Sequence, residues 1–346
     1  MRAGFLEALG GEAGCRRLST EFYARVGKDP VLRSLFPGKS LRCAVEEFAA
    51  FLIQFLGGDE EQTQYRWWLS LRESHGRFGI GPTERSAWLK HMGATLEVAP
   101  LDERTRKALH QFFLQTSAYV IQKDSVAPEH EELAALWREQ RLLDDVIGAI
   151  AAGHDHKALT LAPQVASRPS VFVGLLARMI QSRRTGLIRF VIDAVEREPS
   201  LVARRFSGRT LLHFACGAGC FDVVALLLRL GTDPNIQDRG GHTPLYSVAN
   251  ECASGKGPEI VQMLVRAGAD VNACGGITRT TALHMAARRG YVEISRALLD
   301  WGAAIEAVDR KGDTPLERAI NCRRHGVSQL LLERGASAIS KLRASH

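Results

Sequence analysis

One histidine stands in a stretch whose neighbours could shape its chemistry: Leu71-Arg-Glu-Ser-His75-Gly-Arg-Phe78-Gly-Ile80. A neutral imidazole can ligate a metal or carry a proton near neutral pH, although a lone histidine is more often an ordinary surface or core side chain. Cys216 and Cys220 are one helical turn apart. That spacing could also hold a metal, but small reduced thiols buried on a helix are commonplace. The seven cysteines include no CxxC pair, so neither a zinc site nor a redox dithiol is indicated. Gly217-Ala-Gly219 lacks the third glycine of a dinucleotide fingerprint and follows a helical segment, not a strand. The acidic residues have no recognisable paired acid/base context, and no Ser-His-Asp or Cys-His set with suitable flanks is present.

A chain of 346 residues is too long for one ordinary core and predicts two domains. Its hydrophobic fraction of 45% and charged fraction of 24% are those of a globular protein. The most apolar region, Leu211 to Leu230, is interrupted by His213, Asp222 and Arg229, so no membrane span of about 18 residues is expected. Glu7 breaks the apolar run that a signal peptide would need, and a cytoplasmic location is expected. The net charge of +7 sits on scattered pairs such as Arg183-Arg184, Arg204-Arg205 and Arg288-Arg289, without a basic run or helix-turn-helix pattern. Neither a nucleic-acid partner nor a membrane partner is expected.

The elements that must carry these residues differ between the two halves. In the second half, Thr210-Leu-Leu-His213-Phe-Ala215, Thr243-Pro-Leu-Tyr246, Thr281-Ala-Leu-His284-Met-Ala286 and Thr314-Pro-Leu-Glu317 recur at intervals of 33, 38 and 33 residues. Each is followed by an apolar helical segment and a glycine: Gly231, Gly268, Gly302 and Gly335. Threonine caps a helix start, proline is tolerated at the first helical position, and glycine permits the left-handed residue that ends a helix. The segments resemble the ankyrin repeat, which implies an α-solenoid over residues 206–340 that binds a protein partner. The longer interval predicts an inserted loop around Glu251 to Pro258. Residues 140–205 read as divergent N-terminal cap repeats, and 123–139 as a linker helix and boundary.

Residues 1–122 are helical by period, with Phe48, Phe51, Leu52 and Phe55 as a buried stripe and Gly10-Gly11 and Gly57-Gly58 as breaks. The histidine stretch, together with Phe22-Tyr23, Leu35-Phe36-Pro37, Phe55-Leu-Gly-Gly58 and Trp88-Leu89…Met92, resembles the truncated haemoglobins, most closely their second group. The resemblance covers roughly residues 4 to 121 and implies a two-over-two helical sandwich around haem b. It assigns His75 as the proximal iron ligand. Phe78 and Ile80 pack beneath the ring, and Tyr23 and Trp88 match distal hydrogen-bond donors. Ala44 falls where many globins place a distal histidine, and Phe48 narrows the pocket one turn onward. Phe36 stands where close relatives often carry tyrosine, Met92 completes the lining, and Arg66 and Arg72 are candidates for the propionates. The fold class expected is therefore all-α, a truncated globin followed by an ankyrin solenoid.

The resemblance implies binding of dioxygen or another diatomic gas, with nitric oxide dioxygenase-like or peroxidase-like haem activity. Turnover would need a separate reductase, since the chain has no dinucleotide fingerprint. The alternatives are a haem-based gas or redox sensor and, without haem, a pure ankyrin adaptor.

Overall fold

The computed structural model describes residues 4–36, 40–58, 75, 80–121, 129–165 and 169–337. It divides into two compact units that meet in sequence between Phe172 and Val173. Among the described residues the chain is helical apart from two short antiparallel hairpins, and no helix is long and apolar enough to cross a membrane.

The first unit opens with α1 (Gly4–Ala8), α2 (Gly11–Val26), α3 (Pro30–Arg33) and α4 (Arg42–Phe55), and continues with α5 (Pro82–Val98) and α6 (Glu103–Ile121). Gly10, in the left-handed region at φ 85°, separates α1 from α2 as the sequence anticipates. Asp29 caps α3 by accepting from the Val31 and Leu32 N–H groups at 2.9 Å. Helix α2 packs on both α4 and α5, and α5 packs on α6. Phe22, Leu52, Ile53, Phe55, Met92 and Leu96 form the fully buried centre of this unit.

Helix α7 (Glu131–Ala151) runs unbroken through position 140, where the sequence reading begins its cap repeats. Its first turns belong to the N-terminal core: Leu133, Leu136 and Trp137 are buried there. The Trp137 ring lies 6.0 Å from Phe112 and 5.4 Å from Tyr119. The buried Tyr119 hydroxyl donates to Asp144 Oδ2 at 2.7 Å, and the Arg141 guanidinium sits 5.4 Å from the same ring. Helix α8 (Asp155–Leu161) and a short 3-10 turn at Ala162–Val165 pack back on α7. Segment 123–139, read as a boundary, thus supplies core side chains from residue 133 onward.

The second unit begins within α9 (Pro169–Ser182) and α10 (Thr185–Arg197). Four helix pairs follow: α11 (Leu211–Ala218) with α12 (Phe221–Arg229), α13 (Pro244–Glu251) with α14 (Gly257–Arg266), α15 (Ala282–Arg289) with α16 (Val292–Asp300), and α17 (Pro315–Asn321) with α18 (His325–Glu333). Two hairpins, β1 (Arg205–Phe206) with β2 (Arg209–Thr210) and β3 (Cys274–Gly275) with β4 (Thr280–Thr281), project between pairs. Helices α11, α13, α15 and α17 stack as one row, and α10, α12, α14, α16 and α18 as a second. Leu212, Ala215, Leu283 and Ala286 are fully buried between neighbours. Gly174 on α9 lets the Phe206 ring approach so closely that a Cβ there would lie 2.5 Å from Phe206 Cε2.

Polar groups join each repeat to the next. The Thr210 N–H donates to His213 Nδ1 at 3.2 Å, so the ring carries its proton on Nε2, which reaches the His242 carbonyl at 3.0 Å. His284 repeats the arrangement between Thr281 N–H and the Asp313 carbonyl. Glu317 takes the equivalent place at Thr314, accepting its N–H at 2.8 Å. Asn235 donates to the Gly268 carbonyl and accepts from the Asp270 N–H, and Asn272 does the same with Gly302 and Ala304. The insertion expected around Glu251 to Pro258 is divided: residues 252–256 link α13 to α14, with Cys252 buried rather than protruding, and the remainder lengthens the β3–β4 hairpin.

Burial pushes the His213 imidazole down from 6.5 to about 4, against the hydrogen bond to the His242 carbonyl, which raises it. The folded array therefore prefers the neutral ring, and His213 contributes its stability above the unfolded value of 6.5 and loses it as pH falls toward 4. The loss amounts to about 3 kcal/mol, read as a falling urea midpoint for the array across that window, and His213→Gln should flatten the slope. In the first unit, Trp137→Ala should cost about 3–5 kcal/mol and Tyr119→Phe about 1–3 kcal/mol, by removing a hydrogen bond to the buried Asp144 carboxylate. Urea unfolding of the full chain with changes below about 0.5 kcal/mol for both variants would show that α7 is only a linker.

Candidate functional site

Tyr23 follows the buried Phe22 on α2 and points its ring along the same side of the core, the two centroids 5.1 Å apart. From there a continuous aromatic wall extends across three elements. Phe36, just after α3, stands 5.9 Å from Tyr23. Phe48 on α4 stands 6.3 Å from both Tyr23 and Trp88, and Trp88 on α5 lies 5.3 Å from Phe22. The structure thus brings together four of the sequence-predicted residues: Tyr23, Phe36, Phe48 and Trp88. Phe113 on α6, not anticipated, backs the wall at 5.5 Å from Trp88 and 6.5 Å from Phe48. The Phe112-Phe113 pair in α6 was the available signal for it.

These wall residues differ from the core behind them in being only half-buried, as are Ala44, one turn before Phe48, and Ile80. Met92 is fully buried and packs into the core. His75 has helical backbone and a half-buried side chain. Arg66, Arg72 and Phe78 lie outside the described residues.

The wall carries two polar tips, the Tyr23 hydroxyl and the Trp88 indole N–H. Neither makes a hydrogen bond to any described residue, although rings of this kind placed against a core usually find an acceptor. Burial raises the Tyr23 phenol well above its usual range and the nearby Glu47 carboxylate pushes the same way, so the hydroxyl stays protonated as a donor. Helix α3 is held to α5 by a contact the sequence did not reveal, His91 Nε2 to Asp29 Oδ2 at 2.8 Å. That hydrogen bond is the main reason the Asp29 carboxyl titrates below the usual carboxylate range, and it fixes the segment that presents Phe36 against the helix that presents Trp88. Chemically, the wall suits a flat apolar group on which a small hydrogen-bond acceptor sits near Tyr23 and Trp88.

Among the described residues no group of three or more His, Cys, Asp or Glu side chains is arranged to hold a metal. Burial pushes the Cys216 thiol well up, and that of Cys220 to about 11, and Cys220 Sγ donates to the Ile180 carbonyl at 3.4 Å. Both therefore serve as protonated packing groups. In the array, the loop tips lie largely at the surface: Arg239, Ile277, Thr278, Arg279, Lys311 and Gly312 are exposed, whereas Gly275 is buried between loops.

Comparison with known proteins separates the same two halves. The family model for bacterial-like globins matches residues 4–121, and that for ankyrin repeats (three copies) matches 176–273 and 249–341. Similar curated proteins include ankyrin repeat and SOCS box protein 16 of Homo sapiens, 34% identical over 150 residues, covering 41% of this chain and 32% of the relative. Tyrosine-protein kinase HTK16 of Hydra vulgaris is 32% identical over 135 residues, covering 39% and 17%. The B-cell lymphoma 3 protein homolog of Mus musculus is 33% identical over 139 residues, covering 39% and 30%. The chain spans less than a third of the length of each of these relatives.

Because the Tyr23 hydroxyl has no acceptor among the described residues, Tyr23→Phe should leave the stability of the chain purified without added ligand within about 0.5 kcal/mol of the parent, in contrast to Tyr119→Phe. A Tyr23→Phe loss as large as that of Tyr119→Phe in chemical denaturation would mean that the hydroxyl has a protein partner after all.

Proposed function

For a chain that joins a bacterial-like globin domain to an array of ankyrin repeats, we propose a haem protein that binds dioxygen or a related diatomic gas and is tethered to a protein partner through its array. The observation that carries this reading is a pair of donors, Tyr23 and Trp88, that have no acceptor among the described residues and share one half-buried aromatic wall. A wall made only for packing would bury its rings and satisfy their polar tips.

The residues present fit haem b: aromatic and aliphatic faces that would hold the macrocycle, and a helical, half-buried His75 that would ligate its iron. Haem, when bound, supplies a redox-active iron at which a diatomic gas can coordinate. The chain's own part is orientation and electrostatics. His75 offers one ring nitrogen to the metal, and an acceptor at the other nitrogen would fix its tautomer. Tyr23 and Trp88 donate to a ligand that gains negative charge on binding, each bond being worth about 1 kcal/mol or more in a dry pocket. Phe48 and Phe36 keep water from that ligand, and Ala44, with only a methyl group, leaves the approach open. Arg66, Arg72, Phe78, Ile80 and Met92 are proposed to complete the setting of the group. With haem bound, such a pocket would suit conversion of nitric oxide and dioxygen to nitrate, with electrons from a separate reductase.

One observation favours sensing over passive tethering as a second reading. Ring contacts run from Trp88 through Phe113 and Phe112 to Trp137 on α7, at 5.5, 5.1 and 6.0 Å. A ligand that moved Trp88 would press on a helix outside the family-matched segment.

The purified full chain should show a Soret band that His75→Ala abolishes, with far-UV circular dichroism retained, and that added imidazole restores in the His75→Gly variant. Tyr23→Phe should speed dioxygen dissociation about fivefold to tenfold. A Soret band unchanged by His75→Ala would assign the iron ligand elsewhere and remove the basis of this reading.

A further inference from the structure

The loop tips of the array turn their acids inward and their cations outward. Asp238 Oδ1 accepts from the Gly240 and His242 N–H groups at 2.8 and 2.9 Å. Burial raises this carboxyl, but the His242 ring and backbone hydrogen bonds outweigh it and hold it at about 2. Asp309 Oδ1 likewise accepts from Lys311 and Asp313 at 2.7 and 3.1 Å, and its second oxygen pairs with Arg318, which also attracts Asp313 at 3.6 Å. These carboxylates are committed to shaping their own loops. By contrast Arg239, Arg279, Arg310 and Lys311 are exposed on consecutive tips, and the side chains of Arg279, Arg310 and Lys311 have no hydrogen-bond or ion-pair partner among the described residues. Between them stand two bare aliphatic side chains, Ile277 at 80% exposure and Val308 at 55%.

The tips are also fixed relative to one another. A Cβ on Gly275 would lie 2.4 Å from the Gly241 carbonyl oxygen, and one on Gly208 would lie 2.7 Å from Arg239 Cβ, so neighbouring loops touch backbone to backbone or side chain. The Arg310 N–H donates to the Thr278 carbonyl at 2.9 Å, tying the last loop to the one before it. A partner meeting this row would order few loops on binding.

We propose that this row of loop tips docks an extended acidic segment of another protein, its carboxylates meeting Arg239, Arg279, Arg310 and Lys311 and its apolar side chains covering Ile277 and Val308; this rests on the array being the partner-binding half. Stacked helices lie about 8–10 Å apart and an extended chain rises about 3.3 Å per residue, so an acidic residue roughly every third position keeps step with the tips. The aliphatic side chains distinguish the surface from a nucleic-acid track, where bases are gripped by stacking on aromatic rings. Segments 239–242, 275–280 and 308–313 contain no Phe, Tyr or Trp, and Tyr246 below them is occupied in stacking on His242 at 4.1 Å.

The test is selection of a random peptide library on the immobilised full chain, followed by titration of one synthesised winner. The recovered peptides should be enriched in Asp and Glu and depleted in Lys and Arg relative to the unselected library. The Arg279→Glu, Arg310→Glu, Lys311→Glu variant, checked for unchanged far-UV circular dichroism, should bind the winner at least about tenfold more weakly. Raising salt should weaken binding to the unmodified chain, which keeps the test valid if the variant misfolds. Winners without acidic enrichment, or salt-independent binding, would overturn the acidic partner while leaving the array a protein-binding surface. Failure to enrich any peptide would overturn both readings, and tighter binding of an oligothymidine of equal charge would replace the peptide with nucleic acid.

Discussion

A polar atom taken out of water must find a partner within the protein, and this requirement orders both halves of the chain. In the array it is met across repeat boundaries. Three of the four inner helices start at a threonine whose backbone N–H is satisfied by a side chain three residues on. Where that side chain is histidine, its second nitrogen is spare and reaches the loop of the next repeat. Asn235 and Asn272 do the same at the opposite end of the repeat, each spending both halves of its amide on the following turn. The stack is therefore registered by buried hydrogen bonds as well as by apolar contact, and such bonds are costly to leave unmade. A shift by one residue would orphan all of them together.

Against that background the N-terminal wall is informative because it departs from the rule. The same unit satisfies Tyr119 fully, with its hydroxyl on Asp144 and its ring between Trp137 and Arg141. It leaves Tyr23 and Trp88, on rings that touch the same core, without an acceptor among the described residues. Folding alone gives no reason for the difference. The proposed ligand, bringing its own acceptor, would supply one, and it would also account for rings that remain half-exposed.

What the sequence disclosed is what repeats locally or follows one helical period. The Thr and Gly punctuation at near-constant intervals located every helix pair of the array, and the Phe48, Phe51, Leu52, Phe55 stripe located the buried face of α4. Contacts distant in sequence were opaque. His91 and Asp29 are 62 residues apart and nothing local marks either of them. The partner of His213, and likewise of His284, is a carbonyl 29 residues ahead, a group that every residue possesses and that leaves no trace in composition. Nothing in the sequence marks Asn235 and Asn272 as clasps, because an asparagine that shapes a turn and one that bridges repeats are the same side chain. Tyr23 and Trp88 came to notice only through a family resemblance. Taken alone, two aromatic residues in an apolar helix predict core.

The placement of α7 shows why a boundary drawn from similarity differs from one drawn by packing. The globin match ends at residue 121, at the end of α6, yet the inner face of that helix still exposes Phe112 and Tyr119 to whatever comes next. Trp137 covers both rings, and Asp144 supplies the acceptor that Tyr119 needs. Without α7 the end of α6 would present two large rings and one polar tip to water, a surface with the same defects as an unfinished core. The segment after residue 130 is accordingly as much a part of the first unit as α5, although its sequence carries no sign of that family. Its physical role is set by the rings it covers.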